Sequence, residues 1–125
     1  MANTRTFDEN AKAYDDWFED HRSFYESELD AIRSIIPTMG KGIEIGVGTG
    51  RFAEPLGIKV GIEPSSPMRA IAQERGINVI DGFAEKLPIE SETFDYALFV
   101  TTICFLDSLN QAFSEAFRIL KPKGV

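Results

Sequence analysis

Two rhythms divide the chain. Over residues 8–36 apolar side chains recur at helical intervals: Tyr14, Trp17 and Phe18, then Phe24, Tyr25, Leu29, Ile32 and Ile36. Asp8 is placed to cap the first of these helices with Phe7 as a staple residue, and Ser23 with Glu26 has capping-box spacing for the second. Pro37 stops that helix, and "TMGKG" reads as a turn. From Gly42 the rhythm changes to short apolar runs alternating with helices. "GIEIG", "IKVGIE", "INVI" and "TFDYALFV" are candidate strands, the last apolar enough to predict burial on both faces. A short helix is expected over Phe52–Leu56. A second starts at Ser65 or Ser66, with Pro67 in its first turn and Gly76 at its end. The third opens on Ser108 and Gln111 and places Leu109, Ala112, Phe113, Ala116, Phe117 and Leu120 on one face.

Strands separated by helices at this spacing imply parallel pairing through right-handed crossovers. The expected fold class is therefore α/β, a doubly wound parallel sheet. Its ligand crevice should lie beyond the carboxyl ends of the strands, at the switch point beside the first. Gly124 and Val125 read as the entry to a fifth strand, so the sheet is expected to be truncated after its fourth. An unpaired edge on that strand predicts self-association.

Composition narrows the function. The 125 residues are 43% hydrophobic and 26% charged, as expected of a soluble globular domain. A net charge of −7 argues against nucleic acid as a partner, because such binders gain affinity by releasing counterions to a basic surface. The single Cys104 excludes an intrachain disulfide, and no Cys/His cluster suggests a metal. A reducing, cytoplasmic setting is expected, with no membrane partner: the amino terminus is polar and the longest apolar run is too short to span a bilayer.

Candidate chemistry begins in "GIEIGVGTG". Gly46, Gly48 and Gly50 fall at the carboxyl end of the first strand, where glycine permits positive φ and close approach of a ligand to the backbone. An ordinary tight turn would also use them. The dinucleotide fingerprint G-x-G-x-x-G is not met, since Arg51 stands at its third glycine. Glu44 beside the loop would repel pyrophosphate and suits a ligand with positive charge and no phosphate. Nineteen residues further on, Glu63 ends the second strand, where a carboxylate accepts both ribose hydroxyls. The third strand leads to Asp81 and Glu85, so three successive strand ends offer carboxylates to one crevice.

The segments "EIGVGTGRF", "VGIEPSSPM", "GFAEKLP", "FDYALF" and "AFRILKPKG" together resemble the class I S-adenosylmethionine-dependent methyltransferases, close to small-molecule C- and O-methyltransferases. The resemblance runs from Gly42 to Gly124. It implies that the glycine loop wraps the methionine part of S-adenosyl-L-methionine, that Glu63 with the adjoining Pro64 faces the ribose, and that Gly82, Phe83, Ala84 and Glu85 hold the adenine. It places the segment after the fourth strand near the transferred methyl, with Thr101 close to the cofactor. "FDENAKAYDDWF" looks like the family's amino-terminal cover, in which Tyr14 closes over the cofactor. Residues 1–39 are then a helical cover and residues 40–125 the cofactor-binding core.

Two departures from the family matter. Phe83 replaces an acid that often binds the adenine amino group, leaving the ring, the backbone at Ala84 or the Glu85 side chain for that task. Cys104 and Phe105 occupy places where many relatives carry histidines, so no imidazole base is expected there. His21, the sole histidine, is a candidate base, against the ordinary reading of an exposed helical residue. Tyr14, Trp17, Phe18 and Phe105 could stabilise a sulfonium through their ring faces, or simply pack. The expected function is methyl transfer to a small-molecule acceptor, with no catalytic residue assigned. A non-catalytic cofactor-binding subunit and a nicotinamide-dependent oxidoreductase are the alternatives.

Overall fold

A computed structural model describes residues 3–125. Two helices, α1 (Arg5–Asp20) and α2 (Arg22–Arg33), precede strand β1 (Gly42–Ile45). There follow α3 (Ala53–Leu56), β2 (Val60–Ile62), α4 (Ser66–Glu74), β3 (Asn78–Ile80), β4 (Tyr96–Leu98), a 3-10 turn over Ile103–Phe105 and α5 (Leu109–Ile119). The strands are all parallel and lie in the order β3-β2-β1-β4. Chain progression reverses between β1 and β4, which makes the crevice at their carboxyl ends the expected ligand site.

β1 is buried along its whole length. Alternation sends Ile43 and Ile45 to one face, where they pack with Ile62, Phe94, Ala112, Ala116 and Ile119. The opposite face carries Gly42 and Glu44. A Cβ on Gly42 would lie 2.2 Å from the Tyr96 ring, so this glycine makes room for a neighbouring strand's aromatic. On that side a second cluster joins Val47, Ala53, Ile58, Ala72, Ile77, Val79 and Tyr96. The amino-terminal helices add a third, built from Phe18, Tyr25, Leu29 and Phe52.

Several local expectations are corrected. α1 starts before Asp8, whose carboxylate accepts the hydroxyls of Thr4 at 2.9 Å and Ser65 at 2.6 Å rather than a helix amide. Ser23 lies inside α2, so the Ser23–Glu26 pair is no capping box. Ser65 does stand before α4, with Pro67 in the first turn, but its hydroxyl is spent on Asp8. At α5 the Ser108 hydroxyl accepts the Gln111 amide at 3.2 Å, as a cap should. The buried stripe of that helix is Ala112, Ala116 and Ile119, and Phe117 is 83% exposed. Small residues at i and i+4 let α5 sit close against the sheet, which swings the phenylalanines outward. β4 is shorter than its apolar run, with Tyr96 buried and Ala97 and Leu98 only half-buried. Val125 takes a ladder position beside it, donating to the Asp95 carbonyl at 3.1 Å and accepting from the Ala97 amide at 2.9 Å.

α1 is fastened to the core by charge as well as by Phe18. Asp15 accepts from Arg51 at 2.9 Å and from Arg75 at 2.8 Å, and Arg75 also donates to the Thr49 carbonyl at 2.7 Å. Arg51, which breaks the dinucleotide fingerprint, is thus an anchor for α1. Burial alone would push the Asp15 carboxyl up; hydrogen bonds from Arg75 and Arg51 outweigh it and hold the group well below the usual carboxylate range. The buried carboxyls of Glu44 and Glu63 are displaced the other way, chiefly by burial.

These shifts carry opposite signs. A carboxylate whose folded pKa is depressed supplies stability above its ordinary value, about 4, and loses it as pH falls further. One whose folded pKa is raised binds a proton more readily folded than unfolded, so stability grows as pH drops from neutrality toward 5. Thermal midpoints are therefore expected to hold or rise from pH 7 to 5 and to fall below pH 4. Asp15→Asn should flatten the acid limb; an unchanged limb would rule Asp15 out as its source.

Candidate cofactor-binding site

One cavity of about 430 Å³ opens at the carboxyl ends of the strands. Its wall includes Tyr14, Gly46, Gly48, Glu63, Pro64, Gly82, Phe83, Ala84, Glu85 and Thr101, residues from α1 and from the ends of all four strands. Glu44 and Gly50 lie outside the lining. Glu44 is fully buried beneath the glycine loop, with the Ala53 amide as a hydrogen-bond partner and Oε1 unpaired. At Gly50 a Cβ would come within 2.5 Å of Ile77, so this glycine serves packing against α4 and β3.

The two remaining loop glycines have different tasks. A side chain at Gly46 would meet Thr102 at 2.4 Å, so Gly46 lets the loop after β4 close down on the loop after β1. Gly48 holds φ +59 and faces Tyr14, whose hydroxyl would stand 3.8 Å from an added Cβ. This backbone lies open to the cavity between the loop and α1.

Glu63 is fixed from both sides. Its Oε1 accepts the Gly48 amide at 2.9 Å and its Oε2 accepts the Ser65 amide at 2.9 Å. Each oxygen keeps a lone pair for a further donor. Burial raises the carboxyl and the two amide bonds draw it back. Arg69 steadies the same turn, donating to the carbonyls of Glu63 and Pro64 at 2.9 and 2.8 Å. Arg69 also pairs with Asp81 at 3.1 Å, which withdraws Asp81 from the crevice.

Glu85 turns toward the chain itself. Its Oε2 accepts the amides of Asp107 at 2.8 Å and Ser108 at 3.3 Å, tying the loop after β3 to the start of α5. Its Oε1 is buried without a partner. Tyr14 is pushed up to about 12, first by burial and then by the carboxylates of Glu44 and Glu63, so its hydroxyl is neutral and able to donate. Thr101 sits at φ +55, an uncommon conformation for a β-branched residue, at the cavity wall.

Other expectations separate here. His21 stacks on Trp17 at the α1–α2 junction, outside the lining, and does not face this cavity as a base. Phe18 is core and Trp17 is 43% exposed, whereas Phe105 lines the cavity. Cys104 lines it as well and is an exposed, free thiol. Met68, from the first turn of α4, and Phe7 line the cavity too, though glycine and acid spacing marks neither. Met68 follows Pro67 in the helix nearest Glu63, the signal that could have found it.

The chain belongs to the methyltransferase-domain family, which matches residues 43–125. Its fold closely follows a crystal structure from Thermotoga maritima described as an S-adenosylmethionine-dependent methyltransferase, possible histamine N-methyltransferase. The two share 52% identity with a TM-score of 0.92, over 95% of this chain and 57% of that one. An uncharacterized Methanocaldococcus jannaschii protein is 45% identical over 94% of this chain and 57% of its own length. An uncharacterized methyltransferase of Anoxybacillus flavithermus is 31% identical over 88% of this chain and 56% of its own length. The chain spans about half the length of these relatives. The family's cofactor is S-adenosylmethionine.

The residues present fit that group. A 430 Å³ cavity with carboxylates and no lysine, arginine or histidine among its described lining residues favours a cation over a phosphate. The rings of Tyr14, Phe7 and Phe105 add faces suited to a sulfonium. No helix among the described residues is long and apolar enough to cross a membrane.

Proposed function

We propose that this chain binds S-adenosylmethionine in the cavity and supports transfer of its methyl group to a small-molecule acceptor. The observation that carries the reading is Glu63, held by two backbone amides in the wall of a cavity that Gly48 and Gly82–Glu85 also line. When bound, the cofactor supplies a methyl group already activated on a positive sulfonium.

The protein's part is orientation and exclusion of water. Glu63 offers the free lone pairs of its carboxylate to the ribose hydroxyls. Gly46 and Gly48 form the wall for the methionine end, and Gly82, Phe83 and Ala84 the wall for the adenine. Tyr14, as a neutral hydroxyl, donates a hydrogen bond without adding charge. Thr101, Cys104 and Phe105 border the acceptor side. The acidic lining favours a neutral or cationic acceptor, and the Thermotoga neighbour's description names a small amine.

Calorimetric titration with S-adenosylhomocysteine, with NADH as control, tests the cofactor. Saturable binding of S-adenosylhomocysteine and none of NADH is expected. Methyl transfer to a panel of small amines, thiols and hydroxyl compounds then tests turnover. Binding without transfer to any acceptor would favour a non-catalytic cofactor-binding role.

A further inference from the structure

α1 is not one rigid rod. Asn10 departs from helical geometry at φ −126 and ψ 18, dividing the helix into an outer part over residues 5–9 and an inner part over residues 11–20. The inner part is anchored: Phe18 is buried, and Asp15 bridges Arg51 and Arg75. The outer part supplies Phe7, and with the preceding Asn3 and Thr4 it forms one wall of the cavity. Its ties to the core are of another kind. Phe7 meets Phe105 edge to face, with ring centres 5.1 Å apart, and exposed Asp8 accepts from Ser65 at 2.6 Å.

Ser65 makes that last bond consequential. It is completely buried, its hydroxyl donates to Asp8, and its amide donates to Oε2 of Glu63. The carboxylate facing the cavity is therefore joined through one residue to the outer part of the cover.

Resting on the reading of Glu63 as the ribose-binding carboxylate, we propose that Asp8 is a positioning residue. It latches the outer part of α1 over the cavity through Ser65, so that release of this bond, with bending at Asn10, admits and frees the cofactor. Ligand hydroxyls on Glu63 hold the carboxylate and the turn bearing Ser65 in place, and this in turn favours the closed latch. The cover and the ribose site thus act as one unit.

Stopped-flow kinetics of S-adenosylhomocysteine binding test this on the wild type, Asp8→Ala, Ser65→Ala, the double variant and Asp8→Asn. A latch sets the rate of opening, so Asp8→Ala should raise both association and dissociation rates, by roughly tenfold or more for loss of a charge-assisted hydrogen bond. Ser65→Ala should match it, and the double variant should be no faster than either single one. Asp8→Asn keeps an acceptor oxygen and should stay near the wild type. Hydrogen exchange of the ligand-free protein should show residues 5–9 of Asp8→Ala exchanging faster while residues 15–20 do not. Wild-type binding with unchanged rates in Asp8→Ala, or a change in dissociation alone, would overturn the latch while leaving the site intact. Absence of binding by the folded wild type would overturn the reading of the cavity and the latch with it.

Discussion

Glu63→Ala is expected to weaken S-adenosylhomocysteine binding by about a hundredfold or more while leaving the chain folded. The side chain does two things at once. It would accept ligand hydroxyls, and it already holds the amides of Gly48 and Ser65 at 2.9 Å each. Hydrogen bonds to a charged acceptor contribute about 1.5–3 kcal/mol each, so losing two to the ligand accounts for at least that factor. Truncation also leaves two backbone donors without their partner in a buried turn, which loosens the loop that must meet the methionine end. Glu63→Gln separates the two effects. It keeps one acceptor but turns the other position into a donor, facing either the Ser65 or the Gly48 amide. Its affinity should lie between wild type and alanine. Calorimetry on all three proteins decides the matter: an alanine variant that binds as tightly as wild type would remove Glu63 from the site.

Asp15→Ala should be among the most destabilising single changes in the amino-terminal helices, costing about 3 kcal/mol. Asp15 is 9% exposed, and its two partners keep only 12% and 20% of their side-chain surfaces in solvent. Removing the carboxylate leaves Arg51 with Glu19, at 2.7 Å on a half-exposed side, and with the backbone carbonyl of residue 15 at 3.0 Å, and leaves Arg75 with the Thr49 carbonyl. Unpaired buried charge is the dominant cost, larger than the attraction lost. A drop of this size would lower the thermal midpoint by about 10 °C or more in a domain of this length. Asp15→Asn, which retains acceptor oxygen without charge, should lose less. Urea unfolding monitored at Trp17, in the affected helix itself, measures both variants. A midpoint within error of wild type in Asp15→Ala would show that the cover is held by Phe18 and its neighbours alone.

Much of the fold was legible because it rests on short-range rules. The alternation from Gly42 onward specified parallel strands joined by helices, and the sheet has that form except between β3 and β4, which a loop without a helix connects. Pro67 and Gly76 bracketed α4 through backbone constraints that any context would impose. The helix caps fared differently. Asp8 and Ser65 are both good cap residues, yet each found a stronger partner in the other, 57 positions away. α5 shows a similar limit, since a phenylalanine and an alanine count alike in a hydrophobic pattern but only the alanines permit close approach to the sheet.

Charge and glycine spacing carried the sequence's expectation of a ligand. Carboxylates at successive strand ends, with no third fingerprint glycine, pointed from the sequence alone to a positively charged ligand with a ribose and no phosphate. Tertiary structure decided which of those residues meet the cavity. Glu44, Gly50 and Asp81 occupy the right stretches of sequence, but alternation in β1 buries the first, Ile77 and Ala72 enclose the second, and Arg69 claims the third. Only folding could join Asp8 to Ser65 and Asp15 to two arginines, because each bond spans distant segments and depends on where α1 comes to rest. Local sequence sets the elements and the charge near the crevice, and long-range packing chooses which groups are left free to bind.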